Sequence, residues 1–189
     1  MKSGRGMLST AWRITLDSPV ALERGALIAS TRRMGNGFFV QGCVFGPNRS
    51  RGILVKASDG RIVDNTLEGT WSEAIKVAGE RYWLESGSSS NLVIEGNEIR
   101  GGRSAGIAVY AHDGRGEIAP AGAHRGIAIR NNRILDCPAP GLIVTSTQGL
   151  ALENNEIETD DSVESPPWAR RALIGLREAQ PVMLINNEP

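Results

Sequence analysis

The chain has 189 residues, and its 21 Lys and Arg balance 21 Asp and Glu, which excludes the basic excess of a typical nucleic-acid binder. Its apolar runs are only a handful of residues long, too short to cross a bilayer, and the opening residues lack the apolar centre of a secretory leader. With 23 glycines and 5% aromatic residues, the composition favours short strands and frequent turns over helices.

Residues 1–36 read as a partial first coil, with "AWRITLDSPVALERGALIAS" as strand-like material. From there one pattern returns: an aliphatic residue, a turn pair ending in Asn, and a second aliphatic residue. It stands as "IVDNTL" at 62–67, "IEGNEI" at 94–99, "RNNRIL" at 130–135, "LENNEI" at 152–157 and "LINNEP" at 184–189. The Asn falls at 65, 97, 132, 155 and 187, and Cys43 in "VQGCVF" holds the same slot one step earlier. A second signature precedes each Asn: "GILV" at 52–55, "AIKV" at 74–77, "GIAV" at 106–109, "GLIV" at 141–144 and "LIGL" at 173–176. Successive slots lie 22, 32, 35, 23 and 32 residues apart, a base period near 22 with insertions.

Periods of this length mark a solenoid. Each unit offers short apolar runs with strand alternation, such as Ile53 and Val55 inward with Leu54 and Lys56 outward. One unit cannot close a core, but stacked units bury a continuous aliphatic column. The expected fold is therefore all-β: a single-domain parallel β-helix over 1–189, of about six coils, right-handed by the rule for parallel crossovers. The repeated Asn suits a turn that needs left-handed backbone angles, and stacked Asn side chains form a hydrogen-bonded ladder. Cys43 is expected as a small buried substitute in that ladder, and Cys137 as a second small buried residue.

Chemistry is expected in the insertions, which solenoids gather on one face. Two consecutive units carry theirs between the same two strands, "AGERYWLESGSSS" and "AHDGRGEIAPAGAHRG". These loops hold Glu80, Arg81, Trp83, Glu85, His112, Asp113, Arg115, Glu117 and His124. Carboxylates on neighbouring coils can reach the roughly 6.5–9.5 Å separation of inverting glycoside hydrolysis, which makes Glu80, Glu85 and Asp113 the candidate acid and base. Trp83 either stacks on a sugar or caps the core beneath its loop. Arg51 either donates to sugar hydroxyls or pairs a loop carboxylate. His112 is a candidate substrate contact. Asp160 and Asp161, with Glu164 the one acidic residue following in that loop, fall short of a calcium set, and no metal or cofactor is expected.

Residues 43–101, with "RGIL", the "DNTL" turn and "WLESG", resemble the later coils of bacterial inverting α-1,3-galactosidases, among the pectin-lyase-like β-helix proteins. That resemblance implies an enzyme acting on terminal galactose or a related sugar of a glycan or polysaccharide, and carries over Trp83, Glu85, Arg51 and Glu80 by position. Such enzymes are longer, and Ala26 stands where related sequences often have Asp after the Gly. Three functions fit: a glycoside hydrolase or its C-terminal portion; a non-catalytic β-helix that binds glycan or serves as a structural module, with self-association through open coil ends; and a polysaccharide lyase or epimerase using calcium, with Lys56 or Arg51 as base. The partner in each case is carbohydrate, with neither nucleic acid nor membrane.

Overall fold

The aliphatic signatures become strands that stack on their counterparts in the next unit. A computed structural model describes residues 13–22, 26, 28–80, 85–160 and 172–189. Its strands, numbered in chain order, form three parallel stacks. The first holds β3 (Ile53–Val55), β6 (Ile75–Ala78), β9 (Ile107–Tyr110), the first half of β12 (Leu142–Glu153) and β14 (Ile174–Ala179). The second holds β1 (Phe39–Gln41), β4 (Gly60–Val63), β7 (Ser90–Glu95), β10 (His124–Arg130), the second half of β12 and β15 (Val182–Ile185). The third holds β2 (Val44–Phe45), β5 (Thr66–Thr70), β8 (Glu98–Gly102), β11 (Arg133–Pro138) and β13 (Glu156–Asp160). A 3-10 turn at Thr31–Arg33 is the one helical element among the described residues. The result is an all-β fold of curled parallel sheets, the arrangement of a parallel β-solenoid.

Register turns the sequence repeat into columns of like residues. Val55, Val77, Val109 and Val144 stack in the first sheet face, and Ile62, Ile94, Ile129 and Leu152 in the second. Leu67, Ile99, Ile134 and Ile157 form the third. None of these twelve is more than 3% exposed, so the three columns meet in one core. The small residue that opens four of the five signatures, Gly or Ala, follows from that meeting. A Cβ on Gly52 would lie 2.6 Å from Leu67, one on Gly106 2.5 Å from Ile134, and one on Gly141 2.7 Å from Ile157.

Asn65, Asn97, Asn132 and Asn155 are each 1% exposed, and with Asn187 they form an unbroken ladder. Nδ2 of each donates to Oδ1 of the next, at 2.9, 2.9, 3.0 and 2.8 Å. The same Oδ1 accepts the backbone N–H of the preceding slot. Nδ2 also donates to a main-chain carbonyl of the unit before, for example Asn132 to Ile94 at 2.9 Å. Two of the ladder's expected details need correction. The left-handed residue is the one before the ladder Asn: Gly42, Asp64, Gly96, Asn131, Asn154 and Asn186 all have φ between 45° and 66°. The turn pair therefore divides the labour, its first member supplying the backbone angle and its second the buried amide. Cys43 is exposed rather than buried, because no strand among the described residues stacks below β2 to cover it. It keeps the slot through its backbone N–H, which donates to Asn65 Oδ1 at 3.0 Å. Cys137 is buried, and burial and then the Asp136 charge push its thiol up to about 12.

Candidate functional site

Because β6 pairs with β9 and β7 with β10, the described parts of the loops joining them, residues 79–80 with 85–89 and residues 111–123, lie side by side. The first is pinched shut at its base. Ser86 N–H donates to Gly79 O at 3.1 Å, and a Cβ on Gly79 would stand 2.7 Å from the carbonyl oxygens of Ser86 and Gly87. Between the loops opens a cleft of about 590 Å³ lined by Lys56, Glu80, Glu85, Tyr110 and His112, with Arg33 from the N-terminal segment. Trp83 and Arg81 lie outside the described residues, as do Asp161 and Glu164.

The acidic groups of the cleft are tied to cations. Glu80 Oε1 accepts from Arg51 at 3.1 Å and from Lys76 at 3.2 Å, and its side chain is 13% exposed. Lys76 also stands 3.8 Å from Glu73, and Glu73 accepts a hydrogen bond from Ser72 Oγ. Glu85 pairs with Lys56 from the coil below. Arg51 Nε is buried with no hydrogen-bond partner among the described residues. Removing charges from water is costly unless they are paired, so this network fixes Glu80 and Lys76 rather than leaving them to swing freely. Tyr110 projects from the end of β9, its ring centroid 5.8 Å from Lys76 Nζ and 6.3 Å from that of His112. Burial, and then the charge of Glu73, raise its hydroxyl far above the usual tyrosine range, so it enters the cleft as a protonated donor.

Glu80, Glu85 and His112 thus share one cleft, with Arg51 joined to it through Glu80. Asp113 does not line it. Its Oδ1 accepts the backbone N–H groups of Arg115 and Glu117 at 2.9 and 3.0 Å, and its Oδ2 accepts from Arg115 Nε at 2.9 Å. Chiefly through the Arg115 side chain, these bonds hold its carboxyl below the usual range; its role here is to organise the second loop. His124 is fully buried at the start of β10. Ser89 N–H donates to its Nδ1 at 3.0 Å, which leaves Nε2 as the donor to Tyr110 O at 2.8 Å. Desolvation lowers its pKa, as befits a neutral pin between coils.

Lys76, Glu73 and Tyr110 escaped the sequence reading, which looked for chemistry in loops alone. For Lys76 and Tyr110 the signal was strand alternation: in "AIKV" and "GIAVY" they fall on the opposite parity from the inward Ile and Val and face outward beside the loops. Glu73 lies outside both runs. Among the described residues, no group of three or more His, Cys, Asp or Glu is placed to hold a metal ion, and no helix is long and apolar enough to cross a membrane.

Beside this fold and cleft stand three relatives. The chain is similar to alpha-1,3-galactosidase B of Bacteroides thetaiotaomicron, 29% identical over 159 residues that cover 79% of this chain and 25% of that protein. Alpha-1,3-galactosidase A of Shewanella woodyi is 27% identical over 151 residues, 77% of this chain and 25% of that protein. Alpha-1,3-galactosidase A of Bacteroides fragilis is 29% identical over 168 residues, 82% of this chain and 27% of that protein. The chain spans about a quarter of the length of the curated relatives it matches. No family model and no solved structure matches.

Proposed function

We propose that this chain is a right-handed β-helix block of about six coils from a glycoside hydrolase of α-galactosidase type, acting on terminal galactose or a related sugar of a glycan. The observation that carries the reading is the convergence of Glu80 and Glu85 on one cleft in a chain whose relatives are named galactosidases over more than three quarters of its length. In hydrolysis one carboxylate takes a proton from water as the oxygen attacks the anomeric carbon, while a carboxylic acid protonates the departing glycosidic oxygen. Glu80, anchored by Arg51 and Lys76, takes the part of base. Glu85, the cleft's other carboxyl group, on its more exposed side, takes that of acid when substrate displaces the Lys56 ammonium that otherwise keeps it ionised. Tyr110 and His112 contact sugar hydroxyls. Asp113 shapes the loop beside them.

A second reading, a non-catalytic glycan-binding block, is favoured by the pairing of both cleft carboxylates with cations. Sugar release from aryl glycosides and α-galactosyl oligosaccharides, by wild type beside Glu85→Gln, separates the two. Release that disappears in the variant supports the hydrolase and its site. No release by a folded wild-type protein moves the assignment to binding alone, and release unchanged in the variant removes Glu85 from the mechanism.

A further inference from the structure

The sequence offers Trp83 and Arg51 as candidate sugar contacts, and the structure brings a different tryptophan and arginine together outside the cleft. Trp71 follows β5 and Arg103 follows β8; because Thr70 lies opposite Gly102, the two meet on adjacent coils although 32 positions separate them. Arg103 Cζ stands 4.3 Å from the indole centroid. Trp71 is nonetheless 58% exposed, and none of the ion pairs among the described residues involves Arg103.

The backbone beneath is rigid. Trp71 N–H donates to Asn48 O at 3.1 Å, Ser72 N–H to Ser50 O at 3.2 Å and Arg103 N–H to Thr70 O at 3.1 Å. The platform is also continuous with the cleft. Ser72 and Glu73 follow Trp71 directly, Glu73 reaches Lys76, and Lys76 reaches Glu80. The two features flank the ends of β6, whose four residues span roughly 13 Å.

We propose that Trp71 and Arg103 form a second carbohydrate subsite, which holds a sugar unit distant from the one in the cleft. The indole stacks on the apolar C–H face of that unit, and the cation–π contact fixes the ring's orientation. The guanidinium donates to the sugar's hydroxyls. The ligand is thus an oligosaccharide or polysaccharide rather than a free monosaccharide. The ligand class rests on the glycan reading above, but the subsite does not require catalysis.

The test compares a galactose-terminated tetrasaccharide with p-nitrophenyl α-galactoside, which is too short to reach Trp71. Binding is followed by titration calorimetry, and turnover by nitrophenol release. In Trp71→Ala, the tetrasaccharide Kd is expected to rise at least about fivefold, with nitrophenol release unchanged. Trp71→Phe should restore most of the binding, and Arg103→Ala should weaken it. Equal tetrasaccharide binding by wild type and Trp71→Ala overturns the subsite, as does failure of the folded wild-type protein to bind the tetrasaccharide. Loss of the hydrolase reading looks different: no nitrophenol release, but tetrasaccharide binding that still depends on Trp71.

Discussion

Replacing Asn132 with leucine removes one rung of the ladder while nearly preserving side-chain volume. Asn132 Oδ1 accepts from the backbone N–H of Asn97 at 3.0 Å and from its Nδ2 at 2.9 Å; Asn132 Nδ2 donates to Ile94 O at 2.9 Å, Arg130 O at 3.0 Å and Asn155 Oδ1 at 3.0 Å. The leucine strands the Asn97 N–H and weakens the satisfaction of Ile94 O, both in the interior. Asn155 Oδ1 keeps the residue-132 backbone N–H, and Asn97 Nδ2 keeps two carbonyls. One stranded N–H and one weakened carbonyl at about 1–3 kcal/mol each, less about 1 kcal/mol gained by the new apolar side chain, leave a loss of about 1–5 kcal/mol. The neighbouring Asn131 offers the control, since it carries the left-handed angle at φ 55°. Asn131→Gly relieves that angle and should change stability by less than about 1 kcal/mol. Urea unfolding followed by circular dichroism measures both, the midpoint shifting at constant m. Equal midpoints for wild type and Asn132→Leu, or a larger loss at Asn131 than at Asn132, would refute the division of labour between the two asparagines.

Gly106→Ala should cost about 1–3 kcal/mol by overpacking, because its methyl meets Ile134 at 2.5 Å; an undiminished melting temperature would contradict the close approach of the first and third stacks. His124 has a folded-state pKa below its unfolded value, so the unfolded chain binds its proton first. The stability it protects is complete above about pH 6.5 and falls as pH drops below that value. Denaturant midpoints should therefore decline between pH 7.5 and 5, well above the window of Asp113, whose lowered pKa makes its loss begin below about pH 4. A flat profile from pH 7.5 to 5 would contradict a neutral, buried His124.

The solenoid was legible because a repeated backbone demand leaves a repeated residue. The Asn slots, the aliphatic columns and the small residue opening four of the five signatures all recur in register. The turn pair was legible in place but not in mechanism. Pairs such as Asn131–Asn132 and Asn154–Asn155 carry two residues that tolerate left-handed angles, so the sequence cannot say which one does. Inserted loops between matching strands located the cleft, yet Asp113 and His124 turned inward to loop and core, where their hydrogen bonds are local or cross-coil. Pairings such as Trp71 with Arg103, or Lys76 with Glu73 and Glu80, depend on strand register and on which face a residue points to. A charge in a sequence announces neither.

The most direct measurement follows the sugar released from an α-1,3-linked galactosyl oligosaccharide by time-resolved proton NMR, with wild type beside Glu80→Gln. Hydrolysis in the cleft with Glu80 as base predicts β-galactose as the first-formed anomer from wild type and a rate at least about a hundredfold lower in the variant. No galactose from the folded wild-type protein, or equal rates from the two, would contradict it.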